Sequence, residues 1–156
     1  MIQSIDPRWE KFMKGAYLVL LKSQAHPFSS LKGRHIPEEP GVYLITLMGK
    51  RKEVPLYVGR SKNIRRRIYT NHLMGSVSNA RLKNYLIKDK TIEFINDRHE
   101  AKDYIKSFCQ VRWITEEHFG KMVPKKPPRH PYQVRGLLES YVVARLFPRY
   151  GIYEEH

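Results

Sequence analysis

Apolar positions recur along the chain at two different spacings, and the changes between them mark its elements. Trp9, Phe12, Met13, Ala16, Tyr17 and Leu20 follow three- and four-residue steps, the period of an amphipathic helix. Asp6-Pro7 supplies a capping carboxylate and a proline at the first helical position, so the helix is predicted to begin there and to end near Lys22. Its apolar face either packs on the rest of the chain or forms a contact between subunits. After a loop containing Pro27, Ser29, Ser30 and Gly33, two β-branched and aromatic runs, Gly41 to Leu47 and Val54 to Val58, flank the turn Gly49-Lys50-Arg51-Lys52. A turn centred near Lys50 sets Tyr43 opposite Tyr57 on antiparallel strands. Such a pair either packs only or acts on one ligand.

From Ser61 to Leu73 the chain reads as a helix, and a 3.6-residue projection centres Ile64 and Ile68 on the buried face. Arg67 and Asn71 then share one flank, Arg65 and His72 the other. A short helix is expected from Ser78 through Leu82, Tyr85 and Leu86, a strand over Thr91–Ile95, a helix over His99–Phe108 and a strand over Gln110–Thr115. Residues 120–131, basic and proline-rich, cannot form a helix or a central strand, so they make a surface loop. Its lysines, Lys125 and Lys126 among them, either follow a phosphate backbone or belong to a solvated connection. A last helix runs from about Tyr132 to Phe147, stopped by Pro148. Glu139 falls in the middle of its apolar stripe of Val142, Val143 and Leu146. A carboxylate there needs a metal ion or a cation such as Arg135, one turn earlier.

Charge narrows the choice of partner. With 29 Lys+Arg against 15 Asp+Glu in 156 residues, the net charge of +14 favours polyanions, nucleic acid above all. The basic residues are spread over the chain instead of lining one helix face, which argues against a membrane-surface binder. Length predicts one domain with a real core. The single cysteine, Cys109, excludes an internal disulfide and a multi-cysteine zinc site and is expected in the core. Asp6, Arg8 and Glu10 interrupt any signal sequence, and Ala16–Leu21 is too short to span a bilayer, so a cytoplasmic protein is expected.

Taken in order, Gly41-Val42-Tyr43, Tyr57-Val58-Gly59-Arg60, the arginine Arg67 in the following helix and Glu139 in a later one resemble the GIY-YIG nuclease domain. Glu139-Ser140-Tyr141 through Pro148-Arg149-Tyr150 is similar to the end of that domain in the excinuclease incision subunit. The resemblance runs from near His35 to Gly151, with an insertion-like region between Thr115 and Tyr132. It implies an α+β fold, a small, mainly antiparallel three-stranded sheet flanked by helices. To this the N-terminal helix is an addition: residues 1–34 form an extension and 35–156 the nuclease domain.

The implied activity is metal-dependent hydrolysis of DNA, one strand per active site, in a monomer or a homodimer. Glu139 would be the sole protein ligand of one Mg²⁺ or Mn²⁺, an ion that keeps most of its waters. Arg67 would stabilise charge on the phosphate oxygens. Tyr43 would be the base, its phenol lowered by a nearby cation or passing on a proton from the attacking water, and Tyr57 would position that water. Arg60, Lys62, Arg65, Arg66, Asn71, His72, Lys125 and Lys126 are the candidate nucleic-acid contacts. Two positions depart from the family pattern: Asn71 stands where a histidine or tyrosine is frequent, and Gly151 where an asparagine is. A nucleic-acid-binding module with weak or no catalysis is therefore the alternative expectation.

Overall fold

The computed structural model describes residues 6–74, 81–124 and 131–151, with 71–74 and 131–133 as backbone alone. Helix α1 (Pro7–Lys22) starts as its sequence requires: the Asp6 carboxylate accepts the Arg8 backbone N–H at 2.9 Å and Pro7 occupies the first turn. It buries Phe12, Ala16, Tyr17 and Leu20. Phe12 meets Phe119 and Tyr17 meets Tyr141, with ring centroids 6.4 and 5.9 Å apart, so this face packs within the chain.

The sheet is antiparallel throughout, in the order β1-β4-β2-β3, with β1 His26–Pro27, β2 Gly41–Leu47, β3 Val54–Ser61 and β4 Cys109–Thr115. It thus has four strands where the sequence led us to expect three. The extra strand, β1, is two residues long, too short to carry an alternating pattern, and its Pro27 is tolerated because it lies at the sheet edge. The strand expected over residues 91–95 does not form. Asp89 Oδ1 instead accepts from the Thr91 N–H at 2.9 Å and its hydroxyl at 2.6 Å, closing a turn.

Helices cover both faces of the sheet, which is why Gly41 through Thr46 of β2 are buried without interruption. One face packs Tyr43, Ile45, Tyr57 and Val111 against Ile64, Ile68, Leu82, Leu86 and Ile105. These come from the segment Ile64–Met74, from α2 (Arg81–Lys88) and from α3 (Arg98–Phe108). Cys109 lies fully buried in the same cluster, and burial pushes its thiol up to about 12. The other face sets Val42, Leu44, Val58 and Ile114 against α1, α4 (Glu116–Gly120) and α5 (Pro131–Leu146).

Two local departures bear on the site. Tyr43 lies opposite Gly59, and Tyr57 opposite Ile45, so the two tyrosines are diagonal neighbours instead of a direct pair. The cause is a bulge: Ile45 pairs with Tyr57 but Thr46 with Pro55, leaving Leu56 as an extra residue that turns both Leu56 and Tyr57 to one face. The arginine-rich helix starts later than Ser61, at Ile64, where Asn63 Oδ1 accepts the Arg66 N–H at 3.0 Å. From Arg66 to Met74 it is wound as a π-helix. Its wider turn rotates less per residue than the 3.6-residue projection assumed, which brings backbone position 72 round towards the Arg67 flank.

Away from the site, Glu53 ties β4 to the β2–β3 connection. Its carboxylate accepts from Arg112 Nη1 and Nη2 at 2.5 and 2.6 Å and from the Thr46 hydroxyl at 2.8 Å. The Arg112 hydrogen bonds, helped by Thr46 and opposed by partial burial, hold its pKa at about 2. A carboxylate depressed when folded adds stability above its unfolded pKa of ~4.5 and loses it as the pH falls towards 2. Thermal unfolding followed from pH 5 to pH 2 should therefore show an acid loss that shrinks in Glu53→Gln. With Glu53 39% exposed, the difference is of the order of 1 kcal/mol after solvent screening.

Candidate active site

The bulge and the β2–β3 pairing aim Tyr43 and Tyr57 at one end of the sheet, where the Arg66–Met74 helix and α5 meet it. A cavity of about 320 Å³ opens there, walled by Tyr43, Tyr57, Gly59, Arg60, Arg67, Arg81, Glu139, Val143 and Gly151. All four residues expected to carry chemistry, Tyr43, Tyr57, Arg67 and Glu139, thus line one space. The tyrosine rings are 6.2 Å apart between centroids. Gly59 is required beneath them, because a Cβ there would collide with the ring and hydroxyl of Tyr43. Aromatic packing continues from Tyr57 to Tyr85 (6.4 Å) and on to Tyr150, stacked on Tyr85 at 5.7 Å.

Tyr43 is fully buried at its base, and burial, reinforced by neighbouring Tyr57, pushes its phenol well above the usual range in spite of Arg67. The lowered phenol pKa considered from the sequence is therefore not found. A nearby cation is present, but desolvation of the phenolate outweighs it.

Glu139 does not sit in the middle of an apolar stripe. The buried line of α5 is Val134, Leu138 and Val142, and Glu139 stands beside it, 24% exposed, on the cavity wall. Nor does it pair with Arg135. Its Oε1 accepts from Arg60 Nη1 at 3.1 Å, while Arg135 Nη1 donates to Glu116 on α4 at 3.3 Å. Consecutive turns of one helix diverge here because Arg135 faces the sheet and α4, where it is 8% exposed, whereas Glu139 faces β3. Gly136 clears the way for the Arg60 side chain, since a Cβ there would stand 3.0 Å from Arg60 Nη1.

Beside this cavity lies a second of about 470 Å³, lined by Arg60, Ser61, Lys62, Asn63, Arg66, Arg67 and Arg135, with no carboxylate among them. Arg60 and Arg67 border both. The Nε of Arg135 is buried without a hydrogen-bond partner among the described residues. Of the other predicted contacts, Lys62 and Arg66 fall in this cavity, but Arg65 does not. Its Nε donates to the Ile36 carbonyl at 2.7 Å and its Nη1 pairs with Glu38 at 3.3 Å, fixing the loop before β2. The side chains of Asn71 and His72, and all of Lys125 and Lys126, lie outside the described residues. Arg81 was not expected at the site and Arg135 was expected only as a partner of Glu139, because each reaches its cavity only through the packing of its helix.

The segment after α5 closes the site from its far side. Arg149 and Tyr150 donate their N–H groups to the carbonyls of Pro55 and Leu56 at 3.1 and 2.9 Å. The Tyr150 hydroxyl and Arg149 Nη2 bind Asp89 at 2.5 and 2.9 Å. This brings Gly151 against Tyr57. There φ is +86° and a Cβ would stand 3.3 Å from the ring, so glycine both suits the left-handed backbone and keeps the cavity open. Phe147, at the end of α5, is also left-handed, with φ of +50°, although it is not glycine.

Among the described residues, the end of the sheet thus carries two tyrosines, one carboxylate and a cluster of guanidinium groups around an open cavity, a donor set with the charge to receive a phosphate. Residues 39–110 match the model of the GIY-YIG catalytic domain, a match that supports membership of that nuclease domain family. No curated protein and no solved structure matches it. Tyr43, Tyr57 and Arg67 lie within the matched residues, whereas Glu139 lies beyond them and is joined to them by the fold alone. Among the described residues no three His, Cys, Asp or Glu side chains cluster as a metal site, and no helix is long and apolar enough to cross a membrane.

Proposed function

We propose that the protein is a divalent-metal-dependent endonuclease that hydrolyses DNA phosphodiester bonds, one strand at each active site. The observation that carries this reading is the convergence of Glu139, from outside the family-matched residues, on the same cavity as Tyr43, Tyr57 and Arg67. A binding module has no need of a carboxylate in a cationic cavity.

Glu139 suits a hydrated Mg²⁺ or Mn²⁺: it is an oxygen donor beside open space, and it already holds a cation, the Arg60 guanidinium. When bound, such an ion would polarise the phosphate and stabilise the departing 3′ oxygen. Arg67 donates to the non-bridging oxygens as negative charge builds on them. Tyr43 remains a neutral phenol at physiological pH, so its role is to pass a proton from the attacking water while Tyr57 orients that water. The adjoining cavity of Arg60, Lys62, Arg66 and Arg135 receives the neighbouring backbone phosphate. On this reading residues 1–34 support the nuclease domain, 35–156, by packing α1 against α4 and α5, and the enzyme acts in the cytoplasm.

Nicking of supercoiled plasmid with Mg²⁺ or Mn²⁺ tests the proposal. Metal-dependent nicking supports it. Tight, salt-sensitive DNA binding without any nicking would instead assign a binding module. Arg60 gives a separate check, because its guanidinium must leave Glu139 before an ion binds there. Arg60→Ala should tighten Mn²⁺ binding to the DNA-free protein by about fivefold, the worth of a partly exposed ion pair, while weakening DNA binding. Titration of Mn²⁺ followed by electron paramagnetic resonance measures the first effect, and an unchanged affinity would show that Arg60 does not compete for Glu139.

A further inference from the structure

We propose that Phe147 is a stacking platform for an unpaired nucleobase beside the cut, which makes the preferred substrate a nucleic acid with an extrahelical or unpaired nucleotide; this rests on the nucleic-acid reading above. Phe147 is the most exposed large hydrophobic residue among those described, at 69%. Among the described residues no ring packs against it. Its backbone adopts a left-handed conformation that glycine or asparagine would take with less strain. The chain reversal it makes is secured without its side chain, by its own N–H donating to the Val143 carbonyl at 2.9 Å and by the Arg149 and Tyr150 backbone bonds to β3. The fold therefore accounts for the turn but not for the phenyl ring, and unexplained local strain is a sound starting point for a functional assignment.

Its location supplies the ligand. Phe147 borders a hollow of about 280 Å³ with Glu139, Ser140, Val143, Ala144 and Gly151. Glu139, Val143 and Gly151 also wall the catalytic cavity, so the two spaces adjoin. Cations line the hollow on one side of that cavity, whereas Val143, Ala144 and Phe147 present an apolar wall in this one, edged by the polar groups of Glu139 and Ser140. A nucleotide has the same polarity, a charged phosphate at one end and a flat base with a polar edge at the other. A base paired within a duplex is stacked on its neighbours and cannot present its face to a side chain outside the helix. One freed at a gap, flap or bulge can.

The test is binding in EDTA, where cleavage plays no part, to an intact duplex and to the same duplex carrying one extrahelical 2-aminopurine. Anisotropy reports affinity, and 2-aminopurine fluorescence reports stacking. Phe147→Gly, which suits the left-handed backbone, guards against a folding loss, and Phe147→Trp should restore stacking. We expect Phe147→Gly to weaken binding of the bulged duplex about 10- to 100-fold, with the intact duplex almost unaffected, and to abolish the change in fluorescence. Equal losses on both duplexes, or none on either, would overturn the platform while leaving the nuclease reading intact. Failure of the wild type to bind either duplex would sink both. A dimer in sedimentation that Phe147→Gly dissociates would make the ring a subunit contact and would likewise overturn the proposal.

Discussion

Glu139→Gln should abolish metal-dependent nicking, by at least ~1,000-fold, and leave DNA affinity unchanged or slightly stronger. The two effects separate because the carboxylate is, among the described residues, the one negative side chain on the wall of a cavity that holds Arg60, Arg67 and Arg81. Removing its charge makes the cavity more attractive to a phosphate, so ground-state binding does not suffer. It also removes the group that would hold a divalent ion, and with it several kcal/mol of stabilisation that acts only as charge develops on the reacting oxygens. Glutamine keeps the shape and can still accept the Arg60 N–H, and the side chain is partly exposed, so the fold should persist. Wild type and variant, purified side by side, are compared by plasmid nicking for activity, by anisotropy for binding and by thermal unfolding for integrity. Nicking at the wild-type rate would remove Glu139 from the mechanism. The variant also tests something the family match does not, because Glu139 lies outside the matched residues.

Much of this site was legible because it follows from short-range patterns. Tyr43 and Tyr57 sit on strands with plain turn signals between them, Arg67 on a helix whose Ile64 and Ile68 mark its inner face, and α1 begins at a proper cap. The misses share one cause: they depend on partners distant in sequence or on irregular backbone. Arg60 and Glu139 are 79 residues apart, and nothing local in α5 says that Glu139 turns to β3 while Arg135 turns to α4. Arg65 and Arg66 are alike as letters, yet one is consumed by the Ile36 carbonyl and Glu38 and the other lines a cavity. The Leu56 bulge adds one residue to β3 and so changes which residues face each other, an alteration that alternation of apolar and polar residues cannot reveal. A π-wound helix likewise invalidates a projection built on 3.6 residues per turn, and with it the placing of position 72 relative to Arg67.

Arg67→Ala should lower turnover by about 100- to 1,000-fold, the cost of losing a donor aimed at developing negative charge, and weaken DNA binding by less than about tenfold. Binding is spread over several groups: Arg60, Lys62, Arg66 and Arg135 remain in the adjoining cavity when Arg67 is gone. The reacting phosphate has no such reserve. Among the described residues, Arg67 and Arg81 are the guanidinium groups on this wall besides Arg60, and Arg60 is engaged with Glu139. Arg67 also springs from the first turn of the arginine-rich helix, where its N–H donates to the Asn63 carbonyl at 3.1 Å, so the guanidinium is carried on a fixed base and need not be organised during the reaction. Arg67→Lys discriminates between charge and geometry: it retains the cation but forfeits two parallel hydrogen bonds, and should recover binding more fully than turnover. Single-turnover cleavage measured with protein in excess over DNA isolates the chemical step from association and product release. Equal losses in turnover and affinity for Arg67→Ala would make Arg67 a binding residue and pass the charge-stabilising role to Arg81, whose own alanine variant would then carry the larger catalytic deficit.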